Sequence, residues 1–227
     1  MAQSRHPRGK CVFCGREMTR GGLARHLPAC PQRRAAIEEA NKKSGKKEEL
    51  YHLQVQDAWG GDYWLHLEMD GSATLGHLDH YLREIWLECC GHLSQFSVGG
   101  WAGDEISKNR RVRQVFKPGV ELTHIYDFGT SSETLVKMVG MREGKPLTKN
   151  PIVLMARNNA PEVECMECEK PAAWLCIECM YEEDKPGTLC DEHVEGHPHD
   201  DYGEPMPLVN SPRVGMCGYV GPAEPPY

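Results

Sequence analysis

Cysteine and histidine recur along this chain in closely spaced pairs, and that spacing restricts the fold before anything else does. Cys11-x2-Cys14 is followed by His26-x3-Cys30, and much later come Cys165-x2-Cys168, Cys176-x2-Cys179 and Cys190-x2-His193. His197, His199 and Cys217 lie beyond them. A Cys-x2-Cys turn aims two thiolates at one point, and four N/S ligands around a point make the closed tetrahedral set of a structural zinc site. In the first cluster Gly15 stands beside the knuckle, and "GGLARHLPAC" suits a short helix that carries His26 and presents Cys30 about a turn later. Cys11, Cys14, His26 and Cys30 are therefore expected to hold one ion. The C-terminal cluster has ligands for two more. Its three pairs supply six; His197 and His199 are the nearest candidates for the other two, and Cys217 competes for one place. Only seven residues separate the first two pairs, which favours an interleaved layout. Cys165, Cys168, Cys190 and His193 then form one site, and Cys176, Cys179, His197 and His199 the other. Three zinc ions per chain are expected.

Reading cysteines as ligands depends on compartment. The chain opens "MAQSRHPRGK", basic and polar, with no apolar stretch behind it. No run approaches the roughly 20 apolar residues that cross a bilayer. The expectation is a soluble, cytoplasmic protein without a membrane partner, where clustered thiols bind metal before they form disulfides. Charge is unevenly spread. Residues 1–50 hold 12 Lys+Arg against 5 Asp+Glu, whereas residues 161–227 hold 3 against 15.

Between the clusters the patterning is that of an α+β domain. Leu53 and Val55 alternate with polar neighbours, Trp64, His66 and Glu68 alternate with Leu65, Leu67 and Met69, and "WGGD" between them signals a hairpin turn. Leu75, Leu78, Leu82, Ile85 and Trp86 recur at helical spacing, with Gly91 as a stop. "HLSQFSVGG", "VELTHIYDFGT", "ETLVKMVGMR" and "PIVLMA" read as further strands. The predicted fold is a mixed or antiparallel sheet with one main packed helix, flanked by small zinc-stapled modules. The segments read as a zinc finger (1–34), a basic helix and linker (35–50), the α+β domain (51–160) and a Cys/His-rich double-zinc module (161–227).

The middle segment resembles the Ri-plasmid ORF-3-like family, found on plasmids and beside transposable elements. The resemblance rests on "YHLQVQDAWGGDYWLHLEMDGSATLGHLDHYLREIW", "HLSQF" and "YDFGTSSETLVKMVG", and "LCDEHVEGHPHD" with "VNSPRVGMCGYVG" looks like the Cys-rich extension of some members. It implies an α+β fold and no assigned chemistry. Where many members follow YDFG with an acid, a tryptophan and a histidine, this chain has Thr130, Ser132 and Thr134. The tail's spacing is also similar to B-box-type double-zinc modules, which are protein-interaction platforms. The finger's spacing is similar to ubiquitin-binding fingers of the DNA-repair type, but Pro28 and Ala29 stand where those usually carry an aspartate.

Three functional readings follow. Arg16, Arg20, Arg25, Arg33 and Arg34 surround the first finger, with Arg5, Arg8 and a lysine-rich linker nearby, so a non-enzymatic zinc protein can grip nucleic-acid phosphates through its basic head. Phe13 is the one aromatic there, which argues against stacking on single strands. Alternatively the acidic tail acts as an adaptor for a protein partner. An enzyme is the third reading; the chain has no GxSxG, HExxH, Walker or GxGxxG motif. His77, His80 and His92 form a loose group with Cys89 and Cys90, in which His77 and His80, three apart on one helix face, could chelate a further metal. The preferred reading is partly buried helix histidines and adjacent Cys89 and Cys90 as buried, inert thiols facing different ways, while Tyr126 and Asp127 end a strand beside Gly129.

Overall fold

The structure is a computed structural model that describes residues 7–199 and 201–227; Arg5 lies outside them. Its fold is α+β. In chain order the elements are β1 (Arg8–Cys11), β2 (Glu17–Thr19), α1 (Arg20–Ala29), α2 (Pro31–Lys42), β3 (Glu48–Asp57) and β4 (Trp64–Asp70). Then come α3 (Leu75–Leu82), which runs into a π-helical turn at Arg83–Leu87, β5 (Ser94–Val98), β6 (Asp104–Ile106), α4 (Val112–Val115), β7 (Glu121–Tyr126), β8 (Ser132–Gly144) and β9 (Ile152–Asn158). The C-terminal module adds β10 (Trp174–Leu175), α5 (Ile177–Tyr181), β11 (Thr188–Leu189), α6 (Asp191–Val194) and β12 (Met206–Pro207).

One antiparallel sheet of nine strands organises the molecule, in the order β2-β1-β9-β4-β3-β8-β7-β5-β6. The expected hairpin is β3–β4, turning at Asp57, whose carboxylate accepts the backbone N–H groups of Gly60, Gly61 and Tyr63. Side chains on a strand alternate between faces, so β4 serves both. Leu65, Leu67 and Met69 join Tyr51, Leu53 and Val55 in a core that α3 and its π-turn cover with Leu75, Leu78, Leu82, Ile85 and Trp86. The helix is tied down by a buried carboxylate. Asp79 accepts from His124 (2.8 Å), Ser94 (2.6 Å) and Lys108 (3.0 Å). Burial opposes its ionisation, but these donors outweigh that and hold its carboxyl well below the usual range.

The opposite face carries Trp64, His66 and Glu68, and the finger lies on it. Leu23 and Leu27 of α1 pack with Trp64, Met155 and Ala156 in a second core. β1 pairs with β9, so the finger's own hairpin extends the main sheet. Gly9 makes that junction possible: a Cβ there would fall 2.1 Å from the Arg157 carbonyl oxygen and 2.5 Å from the Trp64 ring. The finger and the sheet share the partners of this face's histidines and glutamate. His52 Nε2 lies 2.9 Å from His66 Nδ1, and His66 Nε2 lies 3.1 Å from the Arg20 carbonyl. Glu68 is buried between Arg33 of α2 (2.7 Å) and the fork of Arg142 (2.6 and 2.9 Å).

Arg33 therefore departs from the sequence expectation of a phosphate contact. It is buried, and its guanidinium is spent on Glu68 and the Leu27 carbonyl. Arg20 is half-buried, while Arg16, Arg25 and Arg34 are exposed. Among the described residues no helix is long and apolar enough to cross a membrane.

Candidate metal centres

The finger's ligands are set by its knuckle and its helix. Cys11 ends β1, and its carbonyl accepts the Gly15 N–H (2.8 Å) while its own N–H donates to the Arg16 carbonyl (3.0 Å). Gly15 adopts φ +71°, the left-handed conformation that closes this turn. Thr19 caps α1, its hydroxyl accepting from the Gly22 N–H at 3.2 Å. That helix brings His26 Nε2 within 3.2 Å of Cys14 Sγ, and Cys30, between α1 and α2, comes within 4.0 Å of Cys11. Burial pushes the Cys11 thiol up to about 11, so a cation entering the site has to displace its proton.

The C-terminal module uses two short helices for the same purpose. Cys190 caps α6 and His193 follows on its first turn; His193 Nδ1 lies 3.4 Å from Cys190, 3.4 Å from Cys165 and 3.5 Å from Cys168. Cys176 caps α5, and Cys179 Sγ lies 3.4 Å from His197 Nε2 and 3.1 Å from His199 Nδ1. The far nitrogen of His199 faces Glu183 at 3.5 Å, a carboxylate placed to orient the imidazole were it to ligate a metal. Burial works against ionising Cys165, yet the backbone N–H groups of Glu167 and Cys190 and the neighbouring His193 lower its thiol to about 6.

Among the described residues four groups could hold a metal ion, each with its ligand atoms mutually within 4.8 Å. Cys11, Cys14, His26 and Cys30 form one; Cys165, Cys168, Cys190 and His193 another; Cys176, Cys179, His197 and His199 a third. His199, not Cys217, thus completes the third group. The fourth is Cys89, Cys90, His92 and Cys217, which spacing did not mark. It corrects the reading of Cys89 and Cys90 as inert thiols facing apart: their sulfurs lie 3.7 Å from each other, and Cys90 is exposed. An irregular turn makes this possible. Glu88 leaves the helix in an extended conformation and Gly91 takes φ +80°, so the usual geometry of neighbouring side chains does not apply. It also raises the number of candidate groups from the expected three to four.

Two surface clefts, one lined by Lys46, Glu49, Gly71 and Arg113 and one by His77, Thr148 and Asn150, lie away from all four groups. His77 and His80 do not share a ligand set: His77 bonds Thr74 in the α3 cap, and His80 faces Glu84.

No family model and no curated protein matches this chain. Among solved structures, it is similar to a protein of unknown function from Methanosarcina mazei Go1, at 19% identity and a TM-score of 0.40. That match covers 46% of this chain and 66%, just under two thirds, of the other.

Proposed function

We propose that this chain is a non-enzymatic zinc-binding protein whose finger and C-terminal module are folded by structural Zn2+, and which meets nucleic-acid phosphates through the exposed face of the finger. The observation that carries the zinc reading is the size of the three spacing-marked groups. Zn–S bonds of about 2.3 Å and Zn–N bonds of about 2.0 Å put tetrahedral ligand atoms about 3.5–3.8 Å apart. The closest sulfur–nitrogen and sulfur–sulfur approaches in these groups run from 3.1 to 4.0 Å, and every ligand atom of a group lies within 4.8 Å of the others. Three or two thiolates with one or two imidazoles suit Zn2+, and four protein ligands leave no position for a substrate. The C-terminal module has little else to fold it, since its core consists of Cys176, Cys179 and Leu189 with Met166, Trp174 and Val194 against them. A structural zinc supplies on the order of 10 kcal/mol to small domains of this kind.

What supports the nucleic-acid reading is that the finger turns its leucines to the sheet and leaves Arg16, Arg25 and Arg34 exposed, with Lys42 ending α2 and Lys43, Lys46 and Lys47 beyond it. The mobile-element setting implied by the resemblance of residues 51–160 to the ORF-3-like family agrees with it. Each phosphate neutralised on duplex DNA contributes about −0.9 to the slope of log K against log salt. Substituting Arg16, Arg25 and Arg34 together by Ala is expected to flatten that slope by up to about 3, read by fluorescence anisotropy of a labelled duplex. Absence of binding at low salt defeats this reading and leaves the zinc reading standing, which native mass spectrometry under reducing conditions tests separately.

A second reading is favoured by the exposed side of the C-terminal module, where Tyr181 and Tyr202 stand among Glu182, Glu183 and Asp184. Such a surface suits a basic protein segment. Binding of an Arg/Lys-rich peptide that is lost when Glu182 and Asp184 are replaced by Lys, with the metal content unchanged, would support it.

A further inference from the structure

The fourth Cys/His group joins two parts of the chain that the sequence keeps far apart. Cys89, Cys90 and His92 follow the π-turn at the end of α3, and Cys217 arrives from the C-terminal segment after β12. Cys90 Sγ lies 3.6 Å from Cys217 Sγ and 2.9 Å from His92 Nε2, and His92 Nε2 lies 3.5 Å from Cys217 Sγ. A disulfide holds its sulfurs at about 2.05 Å. The 3.6 and 3.7 Å separations here are instead close to the edge of a zinc tetrahedron, about 3.8 Å.

The surroundings fit a charged centre. Three thiolates, an imidazole and a dication carry a net charge of −1, which needs a counter-charge at the buried side. Arg213 supplies it. Its guanidinium is fully buried, and its Nε donates to Cys89 Sγ at 3.4 Å. Arg213 is itself fixed by Asp127 (2.6 Å), the Thr130 carbonyl (2.9 Å) and the Ser132 hydroxyl (3.0 Å). This is the outer-shell support that tunes a thiolate ligand. The backbone is also bent to the purpose: Cys217 sits at φ +50°, a left-handed conformation uncommon for a side-chain-bearing residue, followed by Gly218 at φ +65°.

We propose that Cys89, Cys90, His92 and Cys217 form a fourth zinc site, which clasps the C-terminal segment to the β5–β7 end of the sheet. Unlike the other three it lies at the surface, with Cys90 and Cys217 exposed. Its ion is open to chelators and exchanges faster than the rest. Binding displaces the protons still on the three thiols into solvent.

The test is a Zn2+ titration of the full chain under reductant, read by native mass spectrometry together with maleimide labelling. Wild type is expected to saturate at four ions per chain. Cys217→Ser and Cys90→Ser are each expected to saturate at three, with far-UV circular dichroism unchanged. Cys90 and Cys217 should resist maleimide in the zinc-loaded protein and react after brief EDTA treatment that leaves the other ions bound. Saturation at three in wild type, with Cys217 alkylated as fast in zinc as in EDTA, overturns the proposal while leaving the three closed sites intact. A count that is the same for wild type and both variants overturns it too. Fewer than three ions would count against the zinc reading of the closed groups, and protection of Cys217 would still decide the fourth.

Discussion

Replacing Glu68 by Gln tests the docking of the finger at its most heavily charged contact. The carboxylate is 3% exposed and receives three charge-assisted hydrogen bonds, one from Arg33 at 2.7 Å and two from Arg142 at 2.6 and 2.9 Å. At an effective dielectric of about 20, each ion pair is worth roughly 4 kcal/mol before desolvation and the repulsion between the two arginines are subtracted. Glutamine keeps the shape but turns an N–H pair toward guanidinium N–H groups. It also leaves Arg33, whose side chain is 8% exposed, charged and without a counter-ion. Breaking a buried pair from one side costs about 3–5 kcal/mol. At about 2–4 °C per kcal/mol for a chain of this size, the expected fall in Tm is roughly 10 °C. The assay is urea unfolding of zinc-saturated protein, followed by tryptophan fluorescence; Trp64 and Trp86 are fully buried on opposite faces of the sheet. A double substitution, Arg33→Met with Glu68→Met, removes both charges together. It should cost less than Glu68→Gln, because Arg142 at 17% exposure can turn to solvent. If Glu68→Gln lost under about 1 kcal/mol, or if the double variant lost the sum of the losses measured for Arg33→Met and Glu68→Met singly, the triad would not be what holds α2 to the sheet.

Two other outcomes follow from the same face. Burial is the main cause that depresses His52 to about 3 and His66 to about 4, so the folded protein keeps both neutral while the unfolded chain protonates them below about 6.5. The unfolded state then binds more protons, and stability falls as pH drops from about 6.5 toward 4, by up to about 1.4 kcal/mol per pH unit for each histidine. His52→Gln keeps a donor for His66 and should remove about half of this pair's contribution, measured as the difference between the two slopes at fixed Zn2+; equal slopes would refute it. Gly9→Ala forces a Cβ into the Arg157 carbonyl and the Trp64 ring, and overpacking of this kind costs about 1–3 kcal/mol. Hydrogen exchange should show the Val12 amide, which donates to Met155, losing protection well before the amides of β3.

What the sequence disclosed and what it hid separate along one physical line, the range over which a pattern acts. The β3–β4 hairpin, the α3 stripe and the three spacing-marked ligand groups all rest on contacts within a few turns or on ligands in paired motifs, and local spacing encodes those. The docking of the finger does not. β1 and β2 are four and three residues long and show no period of their own, and the alternation of Trp64, His66 and Glu68 reads as a half-buried strand. Only the partner explains why those three are buried: leucines 23 and 27 for the tryptophan, the Arg20 carbonyl for His66, and Arg33 for Glu68. One arginine of a basic cluster was thus a core residue, while its neighbour Arg34 is exposed, a distinction that charge counting cannot make. Cys217 shows the same limit from the other side. It stands 125 residues beyond His92, and no spacing rule reaches that far. A signal did exist in the leftovers, since the finger and the two interleaved sites consume every other cysteine and leave Cys89, Cys90 and Cys217. In a chain so committed to Cys/His groups, three unassigned thiols and a histidine two residues from one of them are better read as an incomplete ligand set than as filler.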